Sequence, residues 1–157
     1  MRDILRQCRW LLFTVAVAMN ASAAEPGLTA AQLETWLTSY GKAWETRNAD
    51  MAVALFSADA TYQDTPYDPP HEGAEGIRAY WAGVTQDQRN VKFGYEVIAV
   101  SGSTGIAHWT AEFDVEPSKA HLSLNGVFVL DFGADGKCRR LREWWHLKTA
   151  DADAKTE

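Results

Sequence analysis

Apolar side chains recur at helical spacing early in the chain. Leu33, Trp36, Leu37, Tyr40 and Trp44 share one face behind Thr29, a residue suited to an N-cap. The polar stretch "TRNAD" ends that helix, and Asp50 is placed to cap a short second one through "MAVALF". Thr61, Tyr62 and Gln63 read as a strand that runs into Pro66, Pro69 and Pro70. A third helix is expected in "GAEGIRAYWAGV", with Ile77, Tyr80, Trp81 and Val84 on one side. From Val91 the period changes from helical to two. "VKFGYEVIAV", "IAHWTAEFDV", "AHLSLNGVFVLDF" and "RRLREWWHLK" follow one another across "SGSTG", "EPSK" and "GADGKC", whose Asp135-Gly136 pair is a strong hairpin signal. Three helices leading into four long antiparallel strands define an α+β domain, its helices packed on one face of a curved sheet.

The turns fix a register. With Pro117-Ser118 central in one turn, Phe113 faces Leu122, Ala111 faces Leu124 and Trp109 faces Gly126. With Asp135-Gly136 central in the next, Leu130 faces Leu141, Phe128 faces Glu143 and Gly126 faces Trp145. One face then collects Trp109, Phe113, Leu122, Leu124, Phe128, Leu130, Leu141 and Trp145, and the other collects the polar residues. A slip of one residue would invert the two. Two positions break the apolar face. Gly126 leaves room between two indoles, and Glu143 puts an acid where acids are rarely buried without a partner.

Composition changes the picture at the ends of the chain. "MRDILRQCR" is basic, "WLLFTVAVAM" is apolar and "ASA" is small, which is the pattern of a signal peptide over residues 1–23. The apolar run is too short to span a bilayer. Cleavage after Ala23 or Ala24 predicts a periplasmic or secreted protein. The whole chain carries a net charge of −6, and losing Arg2, Arg6, Arg9 and Asp3 makes the remainder more acidic. That argues against nucleic acid, and against membrane after cleavage, as partners. Cys8 leaves with the leader, and the lone Cys138 makes neither a disulfide nor a thiolate metal site. About 130 residues remain, enough for one core. We assign residues 28–148 to a single domain and the acidic "TADADAKTE" at 149–157 to a disordered tail.

Asp64 lies two residues beyond Tyr62, so both side chains point the same way from a strand. The prolines that follow force the chain off the sheet and leave Asp64 at an edge. A carboxylate in a mostly apolar cavity is a competent general base; a strand-ending aspartate can equally make a local turn bond. Tyr40 either donates to an oxyanion beneath the first helix or is a core tyrosine with its hydroxyl at the surface. Glu143 is a second pocket acid, a carboxylate at the open rim of the sheet, or one paired to a helix group. His71 leans over the cavity mouth or is a solvated loop residue. His108, His121 and His146 map to the polar face, with His121 across from Asp114. No HExxH, GxSxG, phosphate-cradling glycine loop or metal triad is present, so neither a cofactor nor a metal is expected. Val127, Val129 and Trp144 cluster on the outer face, where Trp144 is either part of a candidate homodimer surface or a stray surface aromatic.

Tyr40, "ALFSADATYQD" running into "PPHEGAEGIRAYW", and the closing "FGADGKCRRLREWWH" resemble the SnoaL-like members of the nuclear transport factor 2-like superfamily, over roughly Leu28 to Leu147. The resemblance implies a cone: a strongly curved, mixed but mainly antiparallel sheet around three helices, enclosing an apolar pocket. Against the ketosteroid isomerases, Asp64 matches the general base and Tyr40 the oxyanion tyrosine. Phe128 stands where those enzymes place a protonated aspartic acid, and Glu143, across from Phe128, is the candidate replacement. The implied function is a cofactor-independent isomerase, cyclase or dehydratase on a small apolar carbonyl or ring compound. Tyr62, Trp81, Phe93, Tyr95, Trp109, Phe113, Phe128 and Trp145 would line its pocket. The alternative is a non-catalytic module of the same fold that binds a small apolar ligand or dimerises.

Overall fold

The computed structural model describes residues 27–149. The leader and residues 150–157 lie outside the described residues. Helix α1, Ala30–Glu45, begins in a capping box formed by Thr29 and Gln32, and it buries Leu33, Trp36, Leu37, Tyr40 and Trp44. Helix α2 is shorter than the sequence implies, Ala49–Val53, and Asn48 caps it instead of Asp50. Asn48 is the residue with extended backbone, and its side chain accepts from the Met51 amide at 3.0 Å. Asp50 lies inside the first turn and pairs with Arg78 at 2.8 Å. Phe56 belongs to the next strand and not to the helix.

Strand β1 spans Phe56–Gln63, and after the proline-rich turn a two-residue strand β2, His71–Glu72, pairs back on it. Gly73 has a φ of +67°, a left-handed conformation that glycine adopts without strain, and it starts helix α3, Gly73–Thr85. Strands β3 (Gln88–Ser101), β4 (Thr104–Val115), β5 (Ala120–Phe132) and β6 (Cys138–Thr149) complete the chain. Thr149, read from the sequence as tail, pairs with Leu122 and closes β6.

The sheet order is β2-β1-β6-β5-β4-β3. The β1–β6 pair is parallel and the other neighbours are antiparallel. Both hairpin registers fall as the alternation requires: Trp109 faces Gly126, Phe128 faces Glu143, and Gly126 faces Trp145. A register shift after Asp131 sets Phe132 opposite Cys138 at the closed end of the last hairpin. The inner face packs on α1 and α3 through interlocking rings. Trp36 stacks on Tyr40 at 5.2 Å, Trp109 stacks on Phe128 at 5.1 Å, and Tyr40 meets Trp81 edge-on at 5.1 Å. The outer face pairs Asp114 with His121 at 2.9 Å and carries Trp144, 46% exposed, opposite Val127.

Gly126 and Gly83 make opposite predictions. A Cβ on Gly126 would come within 2.8 Å of the Trp109 ring and 2.7 Å of the Trp144 carbonyl, neither free to move. Gly126→Ala is expected to cost about 1–3 kcal/mol in urea unfolding. A Cβ on Gly83, within α3, meets nothing within 4 Å. Gly83→Ala is expected to gain about 0.5–1 kcal/mol in the same measurement.

Candidate functional site

Asp64 is the first residue beyond β1, where the chain bends away ahead of the prolines. The turn there is closed by Asp68, whose carboxylate accepts from Thr65 at 2.8 Å and whose carbonyl accepts from Gln63 at 3.0 Å. That leaves the Asp64 carboxyl free of the turn, 22% exposed, with its backbone carbonyl held by the Trp145 indole N–H at 2.9 Å. The proline turn therefore sets Asp64 at the mouth of a cavity of about 190 Å³ between α1, α3 and the inner sheet face.

Glu143 closes the floor of that cavity. Its side chain comes inward because β6 alternates and Phe128 stands opposite it. The Tyr62 hydroxyl donates to Glu143 Oε1 at 2.9 Å, and the Tyr40 and Tyr62 hydroxyls lie 2.7 Å apart. Burial is the main cause that pushes the Glu143 carboxyl up, to about 8, while the Tyr62 hydrogen bond pulls it down and Asp64 pushes it up. Burial and then Glu143 likewise raise both Tyr40 and Tyr62 well above the ordinary phenol range. At neutral pH the floor of the cavity is thus an uncharged chain of two phenols and one carboxylic acid.

Asp64, Tyr40 and Glu143 all border this one cavity, as do Tyr62, Trp81, Trp109, Phe113 and Trp145. Three residues expected in its lining do not reach it. Phe128 has no exposed surface, enclosed behind Tyr40, Phe93 and Trp109. Phe93 wedges beneath α1, where Gly41 provides the space: a Cβ there would lie 2.6 Å from the Phe93 ring. Tyr95 crosses the outside of α1, 37% exposed, its hydroxyl bonded to Thr38 at 2.8 Å and to the Glu34 carbonyl at 3.2 Å.

Other wall residues were not named from the sequence. Trp44, Tyr80 and Val84 lie on the helical stripes, and Leu124 and Leu147 share alternation with Trp145, so the pattern held a signal for them. Thr85 and Gln88 had none; Gln88 enters because its side-chain oxygen accepts from the Trp44 indole at 2.7 Å. Tyr80 is pushed up by burial, by Glu143 and by Asp64. His71 stacks on Tyr80 at 4.3 Å with its Nε2 3.9 Å from Asp64, so it stands at the mouth. Cys138 is buried away from the cavity walls, and burial raises its thiol out of the reactive range. Among the described residues no group of three or more His, Cys, Asp or Glu side chains is placed to hold a metal.

The SnoaL-like domain model matches residues 37–141. No curated protein matches the chain in sequence. Solved structures show the same fold at low identity. An epoxide hydrolase/cyclase-like enzyme of pyran ring formation in the polyether salinomycin is 19% identical, with a TM-score of 0.66 over 74% of this chain and 95% of that one. A Catenulispora acidiphila protein of ketosteroid isomerase-like fold, in complex with trimethylamine, is 17% identical, with a TM-score of 0.62 over 69% and 83%. A Mycobacterium tuberculosis protein is 14% identical, with a TM-score of 0.66 over 78% and 99%.

The buried acid has a consequence for stability. Its pKa rises on folding, so its contribution is complete below the unfolded value of 4.5 and is lost as pH climbs through about 8. The loss is on the order of a few kcal/mol. Urea unfolding of the wild type at pH 5 and pH 9 is expected to show it. Glu143→Gln, which has no proton to lose, is expected to flatten that difference.

Proposed function

The chain belongs to the SnoaL-like family, and on that basis we propose that it is an exported, cofactor-independent isomerase, cyclase or dehydratase acting on a small apolar carbonyl or ring compound. Asp64 is the general base. It removes a proton from the carbon beside the carbonyl, and negative charge moves onto the carbonyl oxygen. Glu143 acts from the far end of the phenol chain. In the free site Tyr62 donates to Glu143; when substrate binds, the protonated carboxyl turns that bond over and donates to Tyr62, Tyr62 donates to Tyr40, and the Tyr40 O–H is left to meet the developing oxyanion. The aromatic walls exclude water and strengthen each of these interactions.

The observation that carries this reading is convergence: Asp64 at the mouth and the Tyr40–Tyr62–Glu143 chain at the floor share one cavity. Its size bounds the substrate. A cavity of about 190 Å³ exceeds the roughly 150 Å³ that admits a benzene ring. It falls short of the roughly 300 Å³ at which drug-sized pockets begin. A single ring fits within it. Export rests on the leader sequence alone.

A screen of activated single-ring ketones and lactones tests the assignment. Asp64→Asn is expected to lose about 100-fold or more in turnover, and Tyr40→Phe about 100-fold. Equal rates for wild type and Asp64→Asn would remove the base and leave a binding pocket. The pH profile has a sign of its own. Above about 8 the Glu143 carboxyl ionises, Tyr62 must donate to it, and Tyr40 must donate to Tyr62. Turnover is therefore expected to fall on the alkaline side of about 8, and that limb is expected to disappear in Glu143→Gln.

A further inference from the structure

The cavity walls carry ionisable charge of one sign only. Asp64 stands at the mouth and Glu143 at the floor, and no lysine, arginine or histidine is among the wall residues. The nearby base is His71, outside the walls and 3.9 Å from Asp64. The remaining donors are neutral. The Thr85 hydroxyl donates to the Trp81 carbonyl at 2.7 Å, and the Trp44 indole donates to the Gln88 side-chain oxygen. The indole N–H groups of Trp81 and Trp109 are buried in the wall and have no hydrogen-bond partner among the described residues. A carboxylate or phosphate entering this space would lose its water and meet two acids with no counter-charge.

A cation meets the opposite environment. Trp44, Tyr62, Tyr80, Trp81, Trp109 and Trp145 surround the space, and indole and phenol rings attract a desolvated cation through their quadrupoles. Glu143 is only 5% exposed, and the one hydrogen bond to its carboxyl among the described residues comes from Tyr62 on Oε1. A quaternary methylated ammonium head group has no N–H to satisfy, presents a surface of methyl groups to the apolar walls, and is close in size to a benzene ring. We propose that the cavity is a binding site for a small methylated ammonium compound, its head group among the rings and Asp64 its counter-charge. This goes beyond the proton-transfer reading, because it holds whether or not Asp64 moves a proton.

Choline and its carbon isostere, in which a tert-butyl group replaces trimethylammonium, separate charge from shape. Both are titrated into the purified protein by calorimetry and by quenching of tryptophan fluorescence. Choline is expected to bind roughly tenfold more tightly than the isostere, and Asp64→Asn to bring the two affinities together. Isostere binding as tight as choline would overturn the proposal, as would binding of neither compound. Because the wild type alone gives the decisive comparison, the proposal does not depend on a variant folding. Equal binding leaves the proton-transfer reading standing, and a failed turnover screen leaves the binding result standing.

Discussion

A carboxyl group enclosed by the apolar face of the sheet is the constraint around which the rest is arranged. An ionised Glu143 would lose its hydration with no cation to replace it, so the group is held neutral and satisfied by a phenol. That phenol has to come from another element. Tyr62 reaches it because β1 runs parallel to β6 and sets Tyr62 beside Leu141, two residues before Glu143. Tyr40 then comes down from α1 to the Tyr62 hydroxyl. One buried acid therefore ties the helix layer, the parallel edge and the antiparallel sheet to a common point.

The same arrangement positions Asp64. Once Tyr62 is fixed at the floor, strand alternation sends the side chain two residues later to the same side, and the chain leaves the sheet immediately afterwards. The Trp145 indole holds the Asp64 carbonyl from β6, two residues along from Glu143. Two carboxyl groups thus come to face one space from different environments, one neutral and buried, the other half open. Environments that separate paired acids in this way are a recurrent means of dividing chemical roles.

Legibility in the sequence followed the range of the interactions. The β4–β5–β6 register was readable because alternation and two short turns determine it locally, and Glu143 opposite Phe128 followed from it. The parallel β1–β6 pairing was not readable, since no turn connects the two strands, and with it went the Tyr62–Glu143 bond that defines the floor. Phe93 and Tyr95 were misplaced for a related reason. Strand β3 carries register shifts on both sides of them, and the path of α1 across the sheet determines which rings it covers. Asn48 outcompeted Asp50 as a cap through backbone conformation, which composition does not reveal. The acidic sign of the cavity, by contrast, was present in the sequence as soon as Asp64 and Glu143 were placed on the same side.

A buried, neutral Glu143 organises this cavity. The direct measurement is the titration of its side-chain carboxyl by carbon-13 NMR, assigned by comparison with Glu143→Gln. A midpoint near 8 is expected, moving higher still in Tyr62→Phe, because the Tyr62 hydrogen bond favours the ionised form. A midpoint near 4.5, the value of an ordinary glutamate, and unmoved in Tyr62→Phe, would contradict it.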